Sequence, residues 1–156
     1  MRRRSVVALL ALAAAGCAYS GGPAQDSITF NTGLAPDSVI RIADAYLVRS
    51  GFAAVRHTPR VLTTMPKETA AGADSDATTG HRFRHWMLRI DAGASVMQGG
   101  TDVRVAGYYL PDASPSATIV DSTAVTRAVP VSAANAKLFA QIDAIASKLK
   151  ELTVTR

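Results

Sequence analysis

The stretch Thr101-Asp102-Val103-Arg104-Val105-Ala106-Gly107-Tyr108-Tyr109-Leu110 carries the clearest pattern in the chain. Val103, Val105, Gly107 and Tyr109 alternate with Asp102, Arg104, Ala106 and Tyr108, the period of two that belongs to a strand with two unlike faces. Upstream, Arg82-Phe83-Arg84-His85-Trp86-Met87-Leu88-Arg89-Ile90-Asp91 reads as a second strong strand. Residues 92–100 between them end in Gly99-Gly100, a turn signal, so the two strands are predicted to form a hairpin. Working outward, residues 52–57 and 61–65 read as shorter strands joined by Thr58-Pro59-Arg60. Residues 27–31 read as another, with Ile28 and Phe30 on one face. Residues 66–80 are rich in Ala, Thr, Asp and Gly without periodicity and read as a mobile loop. Residues 111–115 form a further loop, and residues 117–127 are assigned to a Thr/Val-rich edge strand.

Two segments change to helical spacing. Over residues 36–50, Pro36 suits the first turn, Asp37 the positive end of the helix dipole, and Gly51 the position after the last turn. Val39, Ile42, Ala43, Tyr46 and Leu47 form its apolar stripe. Over residues 133–152, Leu138, Ile142, Ile145, Leu149 and Leu152 form a narrow seam, with Ser132 as the N-cap. A seam of only two heptads fits packing on a sheet better than a coiled coil. The expected fold class is α+β: a two-layer sandwich with an antiparallel sheet of about four to five strands and two helices on one face.

The chain has 156 residues, a formal charge of +5 and a single cysteine, which excludes an intrachain disulfide framework and a multi-thiolate zinc site. Met1-Arg2-Arg3-Arg4-Ser5 precedes an unbroken apolar run from Val6 to Ala15. A cationic segment followed by about ten apolar residues is the secretory signal pattern, and ten helical residues rise only about 15 Å, half of a bilayer core. Ala14-Ala15-Gly16-Cys17 resembles the lipobox of bacterial lipoprotein precursors, although that family usually has Leu where Ala14 stands. The resemblance implies cleavage between Gly16 and Cys17 and a lipid attached to the Cys17 thiol. Ala18, rather than Asp, follows the cysteine, which by resemblance to Gram-negative sorting implies the outer membrane, facing the periplasm. The expected organisation is a signal peptide over 1–16, a lipidated cysteine and flexible tether over 17–26, one domain over 27–152 and a tail over 153–156. Loss of Arg2, Arg3 and Arg4 leaves 14 basic against 12 acidic side chains and lowers the charge to +2, so the basicity does not argue for nucleic acid.

Chemistry-bearing patterns are sparse. His81 and His85 would share a helix face, but on a strand they stand roughly 13 Å apart, too far for one ion. Asp74 to Gly80 begins like a calcium loop but lacks its sixth-position glycine, and His85 stands where the bidentate Glu belongs. No phosphate loop, nucleophile elbow or metalloprotease helix is present, and Glu68 and Glu151 are the only glutamates. No cofactor or metal site is expected. The remaining candidates are Arg82, Arg84, Arg89 and Arg104. By strand parity Arg82 and Arg84 share a face and Arg89 takes the other. The plainer reading is a solvated face that discourages edge pairing. The functional reading is recognition of lipid headgroups, anionic glycans or an acidic protein, for which arginine forks are suited.

From Ile28-Thr29-Phe30 through Leu34-Ala35-Pro36-Asp37-Ser38-Val39, Arg49-Ser50-Gly51-Phe52 and Val61-Leu62-Thr63-Thr64 to the alternating strands, the order of elements resembles the helix-grip domains of BamC-type envelope lipoproteins. That resemblance implies a noncatalytic, lipid-anchored interaction module with an envelope protein partner, in outer-membrane assembly or maintenance. The alternatives are a periplasmic carrier holding a small or lipidic ligand between helices and sheet, and an envelope hydrolase.

Overall fold

The structure, a computed structural model, describes residues 26–70, 72–111 and 128–154. The expected edge strand at residues 117–127, residues 112–115 of the expected loop, the expected signal segment, Cys17 and nearly all of the expected tether lie outside these residues. The elements run β1 (Ser27–Thr32), α1 (Pro36–Arg49), β2 (Ala54–Thr58), β3 (Val61–Thr64), β4 (Lys67–Glu68), β5 (Asp74–Ser75), β6 (Arg82–Ala94), β7 (Thr101–Pro111), β8 (Val129–Pro130) and α2 (Ala136–Val154). They form one antiparallel sheet with two helices, an α+β fold. Its main path is β1-β7-β6-β3-β2, while β4 and β5 pair with β6 and β8 pairs with β7. The sheet therefore has eight strands among the described residues rather than four to five. The surplus is three two-residue pairings, too short to leave a period in the sequence.

The core lies between the sheet and both helices. From β6 and β7 it takes Trp86, Leu88, Ile90, Val103, Val105 and Tyr109; from α1, Val39, Ile40, Ala43 and Leu47; from α2, Leu138, Ile142, Ile145 and Leu149. The buried stripe of α1 is rotated from the expected one, because Ile40 enters the core and Ile42 lines an outer groove with Leu152. Four of the five expected α2 seam residues do pack in the core. Gly51 follows α1 with φ +79° while Phe52 N donates to Leu47 O at 3.0 Å, a C-terminal turn that favours glycine.

The start of α2 differs from its expected position. Asn135, not Ser132, caps it: Asn135 Oδ1 accepts from Leu138 N at 3.4 Å. Its end also runs further, so residues 153 and 154 belong to the domain rather than to a tail. Thr153 is buried, and its carbonyl accepts from Thr32 Oγ1 at 2.9 Å. Thr32 stands opposite Thr101, whose hydroxyl donates to Leu34 O at 2.6 Å. Three elements are thereby joined at the β6–β7 turn end of the sheet.

Residues 66–80 are not a free loop. Lys67 and Glu68 pair with Trp86 and His85, and Asp74 and Ser75 pair with Phe83 and Arg82. Buried Asp76 accepts from Thr78 N, Thr79 N and the Thr79 hydroxyl at 2.7–3.0 Å, which closes the turn leading into β6. Lys67 Nζ lies 4.5 Å from the centre of the Phe52 ring, and Phe52 meets Trp86 edge-on at 5.6 Å. These contacts are long-range, so local composition does not reveal them.

Helix α2 packs tightly on β7 at Gly107, where a Cβ would stand 2.3 Å from Ile142 Cδ1 and 3.0 Å from its Cγ1. A Gly107→Ala substitution is expected to destabilise the fold by about 1–3 kcal/mol through overpacking. Ile142→Val removes the clashing methyl, so the double variant is expected to lose less than the two single losses together. Urea-denaturation midpoints of the four proteins measure that coupling.

Candidate functional site

An irregularity in β6 decides where the arginines lie. Phe83 stands opposite Pro111 and His85 opposite Leu110, so Arg84 is one residue more than β7 can match. Before this bulge the core-facing residue is Phe83; after it they are Trp86, Leu88, Ile90 and Ala92. The parity therefore reverses. Arg82 and Arg84, which flank Phe83, point away from the helices, and Arg89, beyond the bulge, does so too. The expectation that Arg89 takes the opposite face is thus corrected. On β7, Arg104 alternates with core residues Val103 and Val105 and joins the same face, away from α1 and α2. All four candidates share that face.

The face divides electrostatically. Arg89 binds Asp91 through Nη2 to Oδ1 at 2.8 Å and Nε at 3.0 Å to both oxygens. The hydrogen bond to Asp91 pushes the Arg89 guanidinium further above its ordinary range, against the opposing effect of burial. Arg104 Nη2 lies 3.4 Å from Asp26 Oδ1. Arg82 and Arg84, both exposed, have no carboxylate partner among the described residues. Sequence parity grouped Arg82 with Arg84; the structure leaves those two as the available cations and occupies the other two internally.

The histidines separate. His57 Nε2 contacts the Thr63 hydroxyl, His85 is half-buried beside the bulge, and exposed His81 precedes β6. In the segment from Asp74 to Gly80, read as lacking a complete calcium loop, Asp76 is the acceptor of its own turn. Among the described residues no three His, Cys, Asp or Glu side chains are placed to hold a metal ion.

A second feature was missed in the sequence. An open groove of about 470 Å³ runs along α1 and reaches α2, lined by Leu34, Ser38, Arg41, Ile42, Ala45, Arg49 and Leu152. Arg41 Nε contacts Asp37 Oδ2 at 3.2 Å, and Arg49 Nε donates to Ala45 O at 2.9 Å. Ile42 and Leu152 belong to the expected core stripes but line this groove instead; at about 100° per residue each lies at the angular edge of its stripe, which is the available signal.

With this geometry in view, no family model, curated protein or solved structure matches the chain. No helix among the described residues is long and apolar enough to cross a membrane.

The strand end that carries Arg82 and Arg84 is held from beneath. Phe83 stacks on Tyr109 at 4.5 Å, and the Tyr109 hydroxyl meets Thr79 Oγ1 at 3.0 Å. Burial pushes the Tyr109 hydroxyl above its ordinary value; the Thr79 hydrogen bond opposes this, and the Asp76 charge reinforces it. The folded state thus prefers the neutral phenol. This stability is fully present below the unfolded-state value of about 10 and is lost as pH rises through the folded value. Tyr109→Phe is expected to remove that alkaline loss while costing roughly 0.5–1.5 kcal/mol at neutral pH for the missing hydrogen bond. Thermal melts of both proteins across the alkaline range provide the comparison.

Proposed function

We propose that this is a lipid-anchored cell-envelope protein whose domain is a noncatalytic interaction module, held through acyl chains on Cys17 and docking an anionic envelope partner at Arg82 and Arg84. The observation that carries the docking part is the division of the arginine face: two guanidiniums are occupied by Asp91 and Asp26, while the bulged end of β6 presents two that have no carboxylate partner among the described residues. Paired guanidiniums suit carboxylate or phosphate groups on a protein or glycan. The bulge itself supports the reading, since bulges re-aim side chains and this one, in a strand paired on both sides, turns Arg82 and Arg84 to the same face as Arg89. The anchoring part is supported by the cationic start, the apolar run and Gly16-Cys17, and two or three acyl chains give stable attachment where one is marginal. The outer membrane, facing the periplasm, is the proposed location, with a role in assembly or maintenance of that membrane.

A ligand carrier would need space between helices and sheet. At Gly107 the contact with Ile142 leaves none, and among the described residues the hollow of about 350 Å³ between α2 and the sheet, lined by Phe52, Lys67, Trp86, Gln141 and Ile145 among others, is the place such a ligand would have to use.

Cys17→Ala is expected to move the protein from the membrane pellet to the soluble fraction of lysed cells. Persistence in the pellet without detergent overturns the anchoring. Arg82→Ala/Arg84→Ala is expected to weaken binding of the detergent-solubilised protein to polyglutamate roughly tenfold at moderate salt, with a shallower salt dependence. Unchanged affinity there, together with an unchanged crosslinking pattern in the native envelope, overturns the docking assignment.

A further inference from the structure

We propose that the apex of the β6–β7 hairpin, Val96 and Met97, dips into the bilayer that holds the chain and fixes the orientation of the domain upon it; this rests on the reading of Cys17 as the lipid-bearing residue. Val96 is 98% exposed and Met97 94%, the two most exposed large apolar side chains among the described residues. They are adjacent and lie in a turn, where small polar residues are the usual choice.

The apex is held rather than loose. Ser95 N donates to Gly100 O at 3.0 Å, Gln98 N to Ser95 Oγ at 3.2 Å, and Asn31 Nδ2 to Gly99 O at 3.1 Å. Gly100 has φ +72°, and a Cβ there would lie 2.3 Å from Thr32 O, so the turn is pressed against the end of β1. These bonds hold the turn in one shape and pair the Ser95 and Gln98 N–H groups and the Gly99 and Gly100 carbonyls, which lowers the cost of withdrawing those groups from water. Val154, 58% exposed, lies at the same end, because Thr153 O is bonded to Thr32.

Chain length permits the arrangement. Ser27 stands opposite Ala106 and Thr32 opposite Thr101, so the chain enters the sheet about 17 Å from the turn, and the apex adds roughly 10 Å. Ten peptide units separate Cys17 from Ser27 and reach at most about 35 Å. The apex and the acyl chains can therefore share one bilayer with the hairpin standing on it. Arg82 and Arg84 are at the opposite end of β6, some ten residues or about 33 Å from Ala94, and would face away from the lipid. Two side chains bind weakly by themselves, so the apex orients a protein that is already anchored.

The test couples the chain from Cys17 onward, through its lone thiol, to maleimide-bearing phospholipid in phosphatidylcholine vesicles, which supplies the anchor independently of cellular acylation. Met97→Trp places an indole at the apex, and the parent protein gives the background from buried Trp86. The added emission is expected to shift to the blue, to fall at least twofold with acyl-brominated phosphatidylcholine, and to be unmoved by added salt. Val48→Trp, on the exposed side of α1, is expected to show no such quenching. Emission from the Met97→Trp indole that iodide quenches and bromolipid does not would overturn the proposal. So would an indole shielded from both, which would mark a protein contact instead. Failure of the anchoring assignment is read separately, as absence of acyl mass on the Cys17 peptide from native cells.

Discussion

The approach of α2 to the sheet at Gly107 sets the spacing of the two layers. Residue 107 is the only position on the core face of β7 without a side chain, and Ile142 occupies the space that one would fill. Around this contact Leu138, Ile145 and Leu149 reach the strands, and each fully buried aliphatic side chain contributes about 1.5–3 kcal/mol of transfer free energy. A close approach also lets the end of α2 meet β1, where the Thr153 carbonyl accepts the Thr32 hydroxyl. From that bond the order continues to Thr101 and Leu34, and so to the start of α1. One missing Cβ thus underlies the register of the helix, the turn end of the hairpin and the seating of the other helix.

The bulge at Arg84 is the second constraint, and it acts on the surface rather than the core. Without it, a strand as long as β6 would place Arg89 in the core when Phe83 was buried there. With it, both halves of the strand bury apolar residues and present arginines to the same side. Asp91 then meets Arg89 two residues away on that face, and Asp26 meets Arg104 from the adjoining segment. Neutralisation near the middle of the sheet leaves the cationic character at one end of it.

On the proposed reading, the long hairpin separates two roles. Its turn carries apolar side chains and its far end carries guanidiniums, with the rigid antiparallel pairing of β6 and β7 between them. A polar partner and a lipid surface would then be met by opposite ends of one element. The tether enters the sheet partway along β7, near Ala106, which fits attachment without covering either end.

The hairpin, the β2–β3 pair and both helices were legible in the chain because period two and period 3.6 are local properties of neighbouring residues. The lipobox resemblance at Cys17 likewise rests on sequence alone. The surface site was legible only as residue types: four arginines in two strands, without the face they share. Parity counting failed at Arg89 because one unmatched residue reverses every later side chain, and only the pairing with β7 reveals it. Composition made residues 66–80 look free because the groups that order them, on β6 and at Tyr109, are distant in the chain. The rotation of α1 that buries Ile40 and leaves Ile42 half-buried was likewise set by what the helix packs against. Local periodicity specifies which elements form, whereas register, bulges and the pairing of charges depend on contacts between residues far apart in sequence.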